Sequence, residues 1–449
     1  MNPDSRTTHS PQEAALPGKT LKLPKTVDLG DITVRDGLQT LEHYFTTAQK
    51  VRLAEEIILT GYKHVEVTNF GNPKIMPQFK DAEDVLEGIF NSERVGRLLK
   101  QRGGDVTVTT VTIGERSVDR AIAFKEKRGY GPDCLLQMVS TDEAHHRVNS
   151  GMSLDDYFKM SERCTQKAHA AGMQMCGTVS TIWGSPMKGS RITDMRRGVE
   201  FSKRYLELGV DYIEQADHDG SGDPARVYEY FTMILDPELM GKWADPKYHL
   251  CHCHTSRGMG LANYLAALMA GITRFETTLG GTGGQPANVV DGVFTGGTGR
   301  YYHFEHLYSG LVTTEDFVVM CASMGIETGI DLRKLLAVGR MFKDEYLAIT
   351  PEQRELVLAN VAKTTGIPRQ KLESLETASD AALDALVEEA TSKAGSAEGG
   401  VHEHVHENMH GILSGLRNYL RWKAWAPARS ESILSDLPPS PHLRELLGE

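Results

Sequence analysis

The feature that most constrains the fold is a repeated alternation of short apolar segments with helical ones. Eight segments rich in β-formers are predicted as strands, at 26–35, 63–68, 106–112, 134–140, 173–180, 211–216, 248–253 and 274–279. Amphipathic helical patterns lie between them, for example at 47–60, 154–171, 195–208 and 260–270. Strands that alternate with helices indicate βαβ units and a parallel sheet. Eight such units predict a closed (β/α)8 TIM barrel, an α/β fold. The alternative is an open doubly wound sheet, but no GxGxxG follows the first strand.

The flanking segments predict three regions. Residues 1–24 are polar and rich in Pro, Ser and Thr, so we expect a disordered N-terminal arm. Residues 25–340 form the predicted catalytic barrel. Residues 341–449 form a predicted C-terminal helical extension, with helices at 344–361 and 378–393 and a short linker at 395–400. Histidines are concentrated at 402–410 (HEHVHENMH), before an apolar helical pattern. The extension is a candidate lid or dimer element, and its histidines are either a polar helix start or a second metal site.

Composition narrows the function classes. The formal net charge of −11 argues against a nucleic-acid partner, because phosphate binding needs clustered Lys and Arg. No segment approaches the roughly 20 apolar residues of a membrane helix. The six cysteines include no CxxC pair, which indicates reduced thiols in a reducing compartment. We therefore expect a cytoplasmic protein with no membrane partner.

Polar residues recur at the predicted strand ends, where barrel enzymes place their chemistry. They are Arg35 and Asp36 on strand one, Glu66 on strand two, Asp217 after strand six, and His252 and His254 at strand seven. One polar strand end carries little information, but four at one mouth predict an active site.

The histidines and Asp36 predict a metal site. Side chains at i and i+2 of a strand point the same way, so His252 and His254 can reach one ion. Asp36 ends the first strand, which lies close to the seventh in a closed barrel. Two imidazoles and a carboxylate suit a divalent ion, with Mg²⁺ or Mn²⁺ favoured and Zn²⁺ or Co²⁺ as alternatives. The competing interpretation is a pair of buried histidines with satisfied hydrogen bonds, which the acid opposite them makes less attractive.

Four motifs carry a family resemblance. They are RDGLQ (35–39), VEVTNFGNPKIMPQFKD (65–81), GTVSTIWGSP (177–186) and HCHTSRGMGLAN (252–263). In order and spacing this set resembles the DRE-TIM metallolyase superfamily, and within it the hydroxymethylglutaryl-CoA lyases. The resemblance covers about residues 26–340.

The resemblance implies roles for individual residues. Asp36, His252 and His254 would ligate the metal, and Arg35 would stabilise the developing enolate. Glu66 and Asp217 would orient the substrate or relay protons. The implied substrate-binding residues are Gln39, Asn69, Lys74, Gln78 and Gln285. For Lys74, a solvated surface lysine is an equally good interpretation.

The loop after strand eight departs from the family pattern. The lyases carry a cysteine there, in GGCP, whereas this chain reads Gly283-Gly284-Gln285-Pro286. Gln285 cannot act as an acid or a thiolate. Asn288 is a candidate for an asparagine that completes the metal shell in the lyases, and His303 or His306 could replace the lost acid.

The resulting function is a metal-dependent carbon–carbon lyase that cleaves a 3-hydroxyacyl-CoA to acetyl-CoA and a keto product. The alternative is a Claisen-condensing acyltransferase that joins acetyl-CoA to a 2-keto acid, like isopropylmalate, citramalate, homocitrate or Re-type citrate synthases; the long C-terminal extension favours it. An aldolase acting on a free 2-keto acid and a catalytically dead metal-binding barrel are further hypotheses. The resemblance also implies a homodimer or higher homo-oligomer.

Overall fold

The computed structural model describes residues 22–41, 43–101, 106–185, 193–284, 289–290, 293–294, 310–394, 405–417 and 419–421. Eight parallel strands close into a barrel in sequence order, and β1 pairs with both β2 and β8. The strands are β1 Asp28–Asp31, β2 His64–Asn69, β3 Thr107–Val111, β4 Cys134–Ser140, β5 Gln174–Ser180, β6 Tyr212–Asp217, β7 His249–Cys253 and β8 Arg274–Thr277. The predicted (β/α)8 barrel is therefore confirmed. A two-residue pair, β9 Val289–Val290 and β10 Val293–Phe294, follows it.

Helices follow the strands around the outside of the barrel. They are α1 Thr47–Ile58, α2 Ala82–Phe90, α3 Gly96–Lys100, α4 Glu115–Arg128, α5 Glu143–Ser150, α6 Leu154–Ala170, α7 Met195–Glu207, α8 Pro224–Ile234, α9 Pro237–Met240, α10 Gly260–Ala270, α11 Thr314–Ser323 and α12 Leu332–Phe342. The predicted helices at 47–60, 154–171, 195–208 and 260–270 are all present. Local signals set their starts: Thr46 forms a capping box with Gln49 before α1, and the Ser153 side chain caps α6.

The first strand ends earlier than predicted. It stops at Asp31, and Thr33–Gly37 forms a π-helical turn instead of continuing to Arg35. The Asp31 carboxylate accepts hydrogen bonds from the Thr33 backbone N–H (2.8 Å) and hydroxyl (3.0 Å). Such local side-chain bonds compete with the strand ladder and turn the chain. Arg35 and Asp36 are thereby placed on a turn at the barrel mouth.

The barrel interior changes character along its axis. Cys134, Leu136, Cys176 and Val111 form a small apolar cluster, with Tyr212 packed against it, that extends from the N-terminal ends of β4 to β6 up to the last residue of β3. Toward the C-terminal ends the inward positions become polar. Side chains therefore fill the barrel near the N-terminal ends of the strands, and a ligand can bind only at the C-terminal mouth.

The residues after the barrel build a second apolar cluster. It is formed by α13 Pro351–Thr365, α14 Arg369–Glu373, α15 Asp380–Lys393 and a last helix, α16, over 405–417. The helix predicted at 344–361 begins only at Pro351, because Thr350 caps it and Lys343–Leu347 forms a π-helical turn. Among the described residues, none of the helices combines the length and apolar composition needed to cross a bilayer.

Candidate active site

A cavity opens at the C-terminal mouth of the barrel. Counted with its solvent-filled opening, it measures about 1000 Å³. Its polar lining includes Arg35, Asp36, Gln39, Asn69, Ser140, Ser180, Glu214, His218, His252 and His254. Most of the residues predicted as catalytic or metal-binding are thus brought to one cavity, although they lie up to about 220 residues apart in the sequence.

Arg35 is held between two carboxylates. Its Nη1 donates to Asp36 Oδ1 at 2.6 Å, and its Nε donates to Glu66 Oε1. All three side chains are buried. Glu66 Oε2 is buried with no hydrogen-bond partner among the described residues. The guanidinium is therefore fixed in orientation at the cavity wall, and Glu66, which does not line the cavity, supports it.

Asp36 is fixed on both of its oxygens. Oδ1 also accepts from Gln39 Nε2 at 2.8 Å, and Oδ2 accepts from the Gly284 backbone N–H at 2.8 Å. Gln39 Nε2 also donates to the Gly284 carbonyl at 2.5 Å. A Cβ added to Gly283 would lie 2.2 Å from Asp36 Oδ2, and the φ of Gly283 is +118°. Only glycine allows the loop after β8 to approach the carboxylate this closely.

The two histidines of β7 face one another. The Nε2 atoms of His252 and His254 are 3.1 Å apart. His252 Nδ1 lies 3.1 Å from Glu276 Oε2, so its N–H donates to that carboxylate. This bond leaves the Nε2 lone pair of His252 directed toward the Nε2 of His254. An imidazole anchored through its other nitrogen is the usual arrangement of a metal-ligating histidine.

Two buried glutamates in the barrel were missed by the sequence reasoning. Ligand atoms of Glu214, His252 and Glu276 all lie within 4.8 Å of one another, so this trio could also hold a cation. Burial, together with the charge of Glu276, raises the pKa of Glu214 to about 7. Burial likewise raises the pKa of Glu276 to about 7, against the lowering effect of Arg35. A signal was present: each acid interrupts a predicted buried strand, and Glu214 shares its face with Ala216, which lines the cavity.

These donors fit a divalent cation. The Nε2 atoms of His252 and His254 face one another, and the Asp36 carboxylate, held on both oxygens, lines the same cavity. The neighbouring loop has a glycine where a Cβ would collide with this carboxylate. Mixed nitrogen and carboxylate donors suit Mg²⁺, Mn²⁺, Co²⁺ or Zn²⁺. His252 could bind the cation through either ring nitrogen. We favour Nε2, because Nδ1 is already bonded to Glu276.

The predicted substrate-binding residues on the loop after β2 divide between the cavity and the scaffold. Asn69 lines the cavity, and its Oδ1 accepts from the Gly71 N–H at 2.7 Å. Gln78 is buried, but it bonds the backbone of neighbouring segments, including the His43 carbonyl at 2.8 Å. Lys74 is exposed and does not line the cavity. Gln78 therefore supports the loop, and Lys74 has the placement of a surface lysine.

Of the predicted catalytic residues, Arg35 lines the cavity, Glu66 is linked to it through Arg35, and Asp217 does not line it. The Asp217 carboxylate accepts from the backbone N–H groups of Ser221 (3.0 Å) and Gly222 (2.9 Å). Burial and the charge of Asp219 raise its pKa to about 7. Strand alternation explains the placement, because Ala216 faces inward and its neighbour faces outward. In this structure Asp217 organises the loop after β6.

Several predictions fall outside the described residues. They concern Gln285, Asn288, His303, His306, His402 and His404. Of the C-terminal histidines that are described, His406 lies 3.2 Å from Glu388 and His410 is buried.

The fold and the cavity define an enzyme of the DRE-TIM type: a closed barrel with an arginine–aspartate pair after β1 and two histidines at the end of β7. The chain belongs to the HMGL-like family, whose model matches residues 26–342.

Known relatives agree with this assignment. The hydroxymethylglutaryl-CoA lyase YngG of Bacillus subtilis is 27% identical over 322 residues, which cover 72% of this chain and 94% of the relative. The mitochondrial hydroxymethylglutaryl-CoA lyase of Rattus norvegicus is 28% identical over 317 residues, 71% of this chain and 85% of the relative. Among solved structures, an Acinetobacter baumannii HMG-CoA lyase in complex with coenzyme A and 3-methylmalate is 27% identical. That match has a TM-score of 0.58 and covers 71% of this chain and 91% of the other.

Proposed function

We propose that the chain is a divalent-metal-dependent carbon–carbon lyase that cleaves a 3-hydroxyacyl-CoA of the hydroxymethylglutaryl type into acetyl-CoA and a keto product. The observation that carries this proposal is the Arg35 guanidinium, fixed by Asp36 and Glu66 beside the facing imidazoles of His252 and His254. Curated relatives named as hydroxymethylglutaryl-CoA lyases support the substrate class.

Asp36, His252 and His254 would hold the metal, through Nε2 in the case of His252. When bound, a divalent cation acidifies a hydroxyl group and neutralises charge that develops on oxygen. Glu276 fixes the orientation and the tautomer of His252 through its Nδ1.

The chain's own groups then act on the reacting bond. Loss of the 3-hydroxyl proton lets that oxygen form a carbonyl as the bond between C2 and C3 breaks. The electron pair moves into the thioester as an enolate, and a proton delivered to C2 completes acetyl-CoA. Arg35 is placed to stabilise the enolate oxygen, because it is a permanent cation that cannot rotate away from its two carboxylates. Glu66 keeps the guanidinium in this position through its bond to Nε.

A second candidate is the reverse reaction with a different acceptor, a condensation of acetyl-CoA with a 2-keto acid. It is favoured by the residues after 342, which lie outside the family match and build their own apolar cluster. We also propose a cytoplasmic homodimer or higher homo-oligomer. The six cysteines, all buried and free, are compatible with a reducing compartment.

The test is an assay of the Mn²⁺- or Mg²⁺-loaded protein with two sets of substrates. Hydroxymethylglutaryl-CoA and related 3-hydroxyacyl-CoAs are followed for acetyl-CoA by mass spectrometry. Acetyl-CoA with a panel of 2-keto acids is followed for free CoA. Acetyl-CoA in the first set supports the lyase, keto-acid-dependent CoA release supports the synthase, and inactivity in both refutes both.

His252→Ala and His169→Ala form a matched pair for the metal assignment. His169 is an exposed histidine that pairs with Asp211 far from the lining residues. We expect His252→Ala to lose metal binding and turnover together and His169→Ala to lose neither. Full turnover by a folded His252→Ala variant would contradict the assignment.

A further inference from the structure

The cavity has two chemically different sides. Arg35 and Asp36 follow β1, and His252 and His254 lie at β7. Ser140 and Ser180 end β4 and β5, which lie across the barrel from β8 and β1 in an eight-stranded ring closed in sequence order. The first side carries the charges proposed for the reaction. The second side carries neutral hydroxyl groups, and the proposed function assigns no role to them.

A hydrogen-bond network fixes the two serines. Ser140 Oγ lies 2.6 Å from His145 Nδ1 and 2.9 Å from Ser180 Oγ. All three residues are almost completely buried, and both serines line the cavity. Asn149 Nδ2 lies 3.3 Å from His145 Nδ1 and 3.4 Å from Nε2. The imidazole is thus held by the amide and fixes the position of the Ser140 oxygen.

Hydrogen accounting shows what the serine pair can offer a ligand. Each hydroxyl has one hydrogen and can accept two bonds. The Asn149 amide lies at nearly the same distance from both ring nitrogens, so two hydrogen arrangements are open: His145 Nδ1 donates to Ser140, or Ser140 donates to Nδ1. In the first arrangement one hydroxyl hydrogen serves the bond between the serines, and in the second Ser180 donates to Ser140. In both arrangements the Ser180 Oγ keeps at least one lone pair that can accept a hydrogen bond from a ligand hydroxyl group.

The charge environment selects the kind of oxygen that would be bound. Arg35 is the only Lys or Arg among the described lining residues, and it already pairs with Asp36 and Glu66. Burial lowers the pKa of His145 to about 4, so its ring is neutral at pH 7. Neutral hydroxyl groups do not offset the large desolvation cost of an anion, whereas one hydrogen bond offsets the smaller cost of burying a hydroxyl group.

We propose that Ser140 and Ser180, positioned by His145, bind a hydroxyl group of the acyl substrate, so that the preferred thioester carries a hydroxyl group on the substituent of C3. This inference rests on the proposed lyase function. It adds a substrate class, a 3-hydroxyacyl-CoA with an oxygenated C3 substituent in place of a plain alkyl group. Apolar lining residues such as Met138 and Val111 would pack against the carbon chain of that substituent.

A pair of nearly isosteric thioesters tests the proposal. 3-Hydroxy-3-(hydroxymethyl)glutaryl-CoA and 3-hydroxy-3-ethylglutaryl-CoA differ only by a hydroxyl in place of a methyl group. We expect kcat/KM for the hydroxymethyl compound to exceed that for the ethyl compound by at least about 10-fold, because the ethyl group cannot form a hydrogen bond with the buried Ser180 hydroxyl group. Equal use of the two, or a preference for ethyl, overturns the proposal.

Variants show which residues produce the preference for the hydroxymethyl compound. Ser180→Ala is expected to bring the ratio of the two kcat/KM values close to one. Ser161→Ala, a buried serine of α6 that does not line the cavity, is the matched control and should keep the wild-type ratio. For the positioning residue His145, an Asn amide can replace the hydrogen bond that Nδ1 forms with Ser140, and Ala cannot. The ratio should therefore survive in His145→Asn and be lost in His145→Ala; an equal loss of both substrates in Ser180→Ala contradicts the assignment.

Equilibrium binding separates this proposal from the proposed function. Both thioesters are titrated by calorimetry into the metal-free protein, and the ratio of their dissociation constants is compared in wild type and Ser180→Ala. Tighter hydroxymethyl binding that Ser180→Ala removes, without turnover of either compound, refutes the lyase and leaves the oxygen site standing. Turnover without any discrimination in binding or kinetics refutes the oxygen site and leaves the lyase. If Ser180→Ala does not fold, the wild-type ratio and His145→Asn decide.

Discussion

Replacing Gly283 by Ala tests the idea that the loop after β8 builds the metal site. The new Cβ would lie 2.2 Å from Asp36 Oδ2, about 1 Å inside ordinary contact. Either the loop or the carboxylate must move, and the bond from the Gly284 N–H to Oδ2 is weakened in both cases.

The size of the effect follows from these contacts. Losing a hydrogen bond to a charged group costs about 1.5–3 kcal/mol. The positive φ of +118° adds about 1–2 kcal/mol for a residue with a Cβ. A displacement of about 1 Å at a catalytic group lowers the rate by about 10²-fold. We therefore expect a folded variant with metal affinity and kcat/KM each reduced by about two orders of magnitude.

Gly271→Ala is the matched control. Its φ is +105°, and an added Cβ would meet only a Leu235 methyl group at 3.4 Å, an ordinary contact. The Gly271→Ala substitution therefore has the same backbone cost but does not contact the metal site. The assay is calorimetric titration of Mn²⁺ into the metal-free proteins, with thermal unfolding and CoA release measured in parallel. Comparable losses of metal affinity in the two variants, or none in Gly283→Ala, would refute the reasoning.

Three further predictions concern charge. Arg35→Lys should lower kcat by about 10²–10³-fold with little change in metal affinity, because an ammonium cannot bridge Asp36 and Glu66 as the guanidinium does. Steady-state kinetics with hydroxymethylglutaryl-CoA measure this change. An unaffected kcat would contradict the prediction. Glu276→Gln should weaken metal binding about 10–100-fold by loosening the support of the metal-ligand histidine, which metal titration measures; unchanged affinity would argue against that support. Burial raises the pKa of Glu315 to about 7, so its favourable protonated form is present at low pH and the associated stability is lost as pH rises through 7. Relative to wild type, Glu315→Gln should therefore gain about 3 kcal/mol of unfolding free energy between pH 5 and pH 8. Chemical denaturation at the two pH values measures this gain, and a pH-independent difference would refute it.

Much of the fold was predictable from the sequence because barrel strands are largely apolar on both faces. Such strands appear as short continuous β-rich runs, and all eight were predicted. The early end of β1 was not predicted, because the Asp31 carboxylate turns the chain within an otherwise strand-like run. The late start of α13 is a similar case: the cap at Thr350 overrides the helical pattern before it.

The candidate site was predictable in part for a comparable reason. Residues at i and i+2 of a strand share a face, so His252 and His254 could be paired from the sequence. The same rule argues against a position of Asp217 in the cavity lining. Glu214 and Ala216 face the cavity, and Asp217, the next residue after Ala216 on the strand, faces the other way. Glu214 was overlooked because an acid within an apolar run counts against burial in any hydropathy-based reasoning.

The sequence by itself determined the class of fold, the barrel mouth and the HxH pair, because these depend on periodicities of two and 3.6 residues that each segment carries locally. Only the tertiary structure decided which groups meet. The clamp of Arg35 by Glu66, the approach of Gly283 to Asp36 and the bond between His252 and Glu276 join distant segments. Such contacts arise when the ring of strands closes and brings residues from different units within hydrogen-bond distance, and no local pattern encodes that distance.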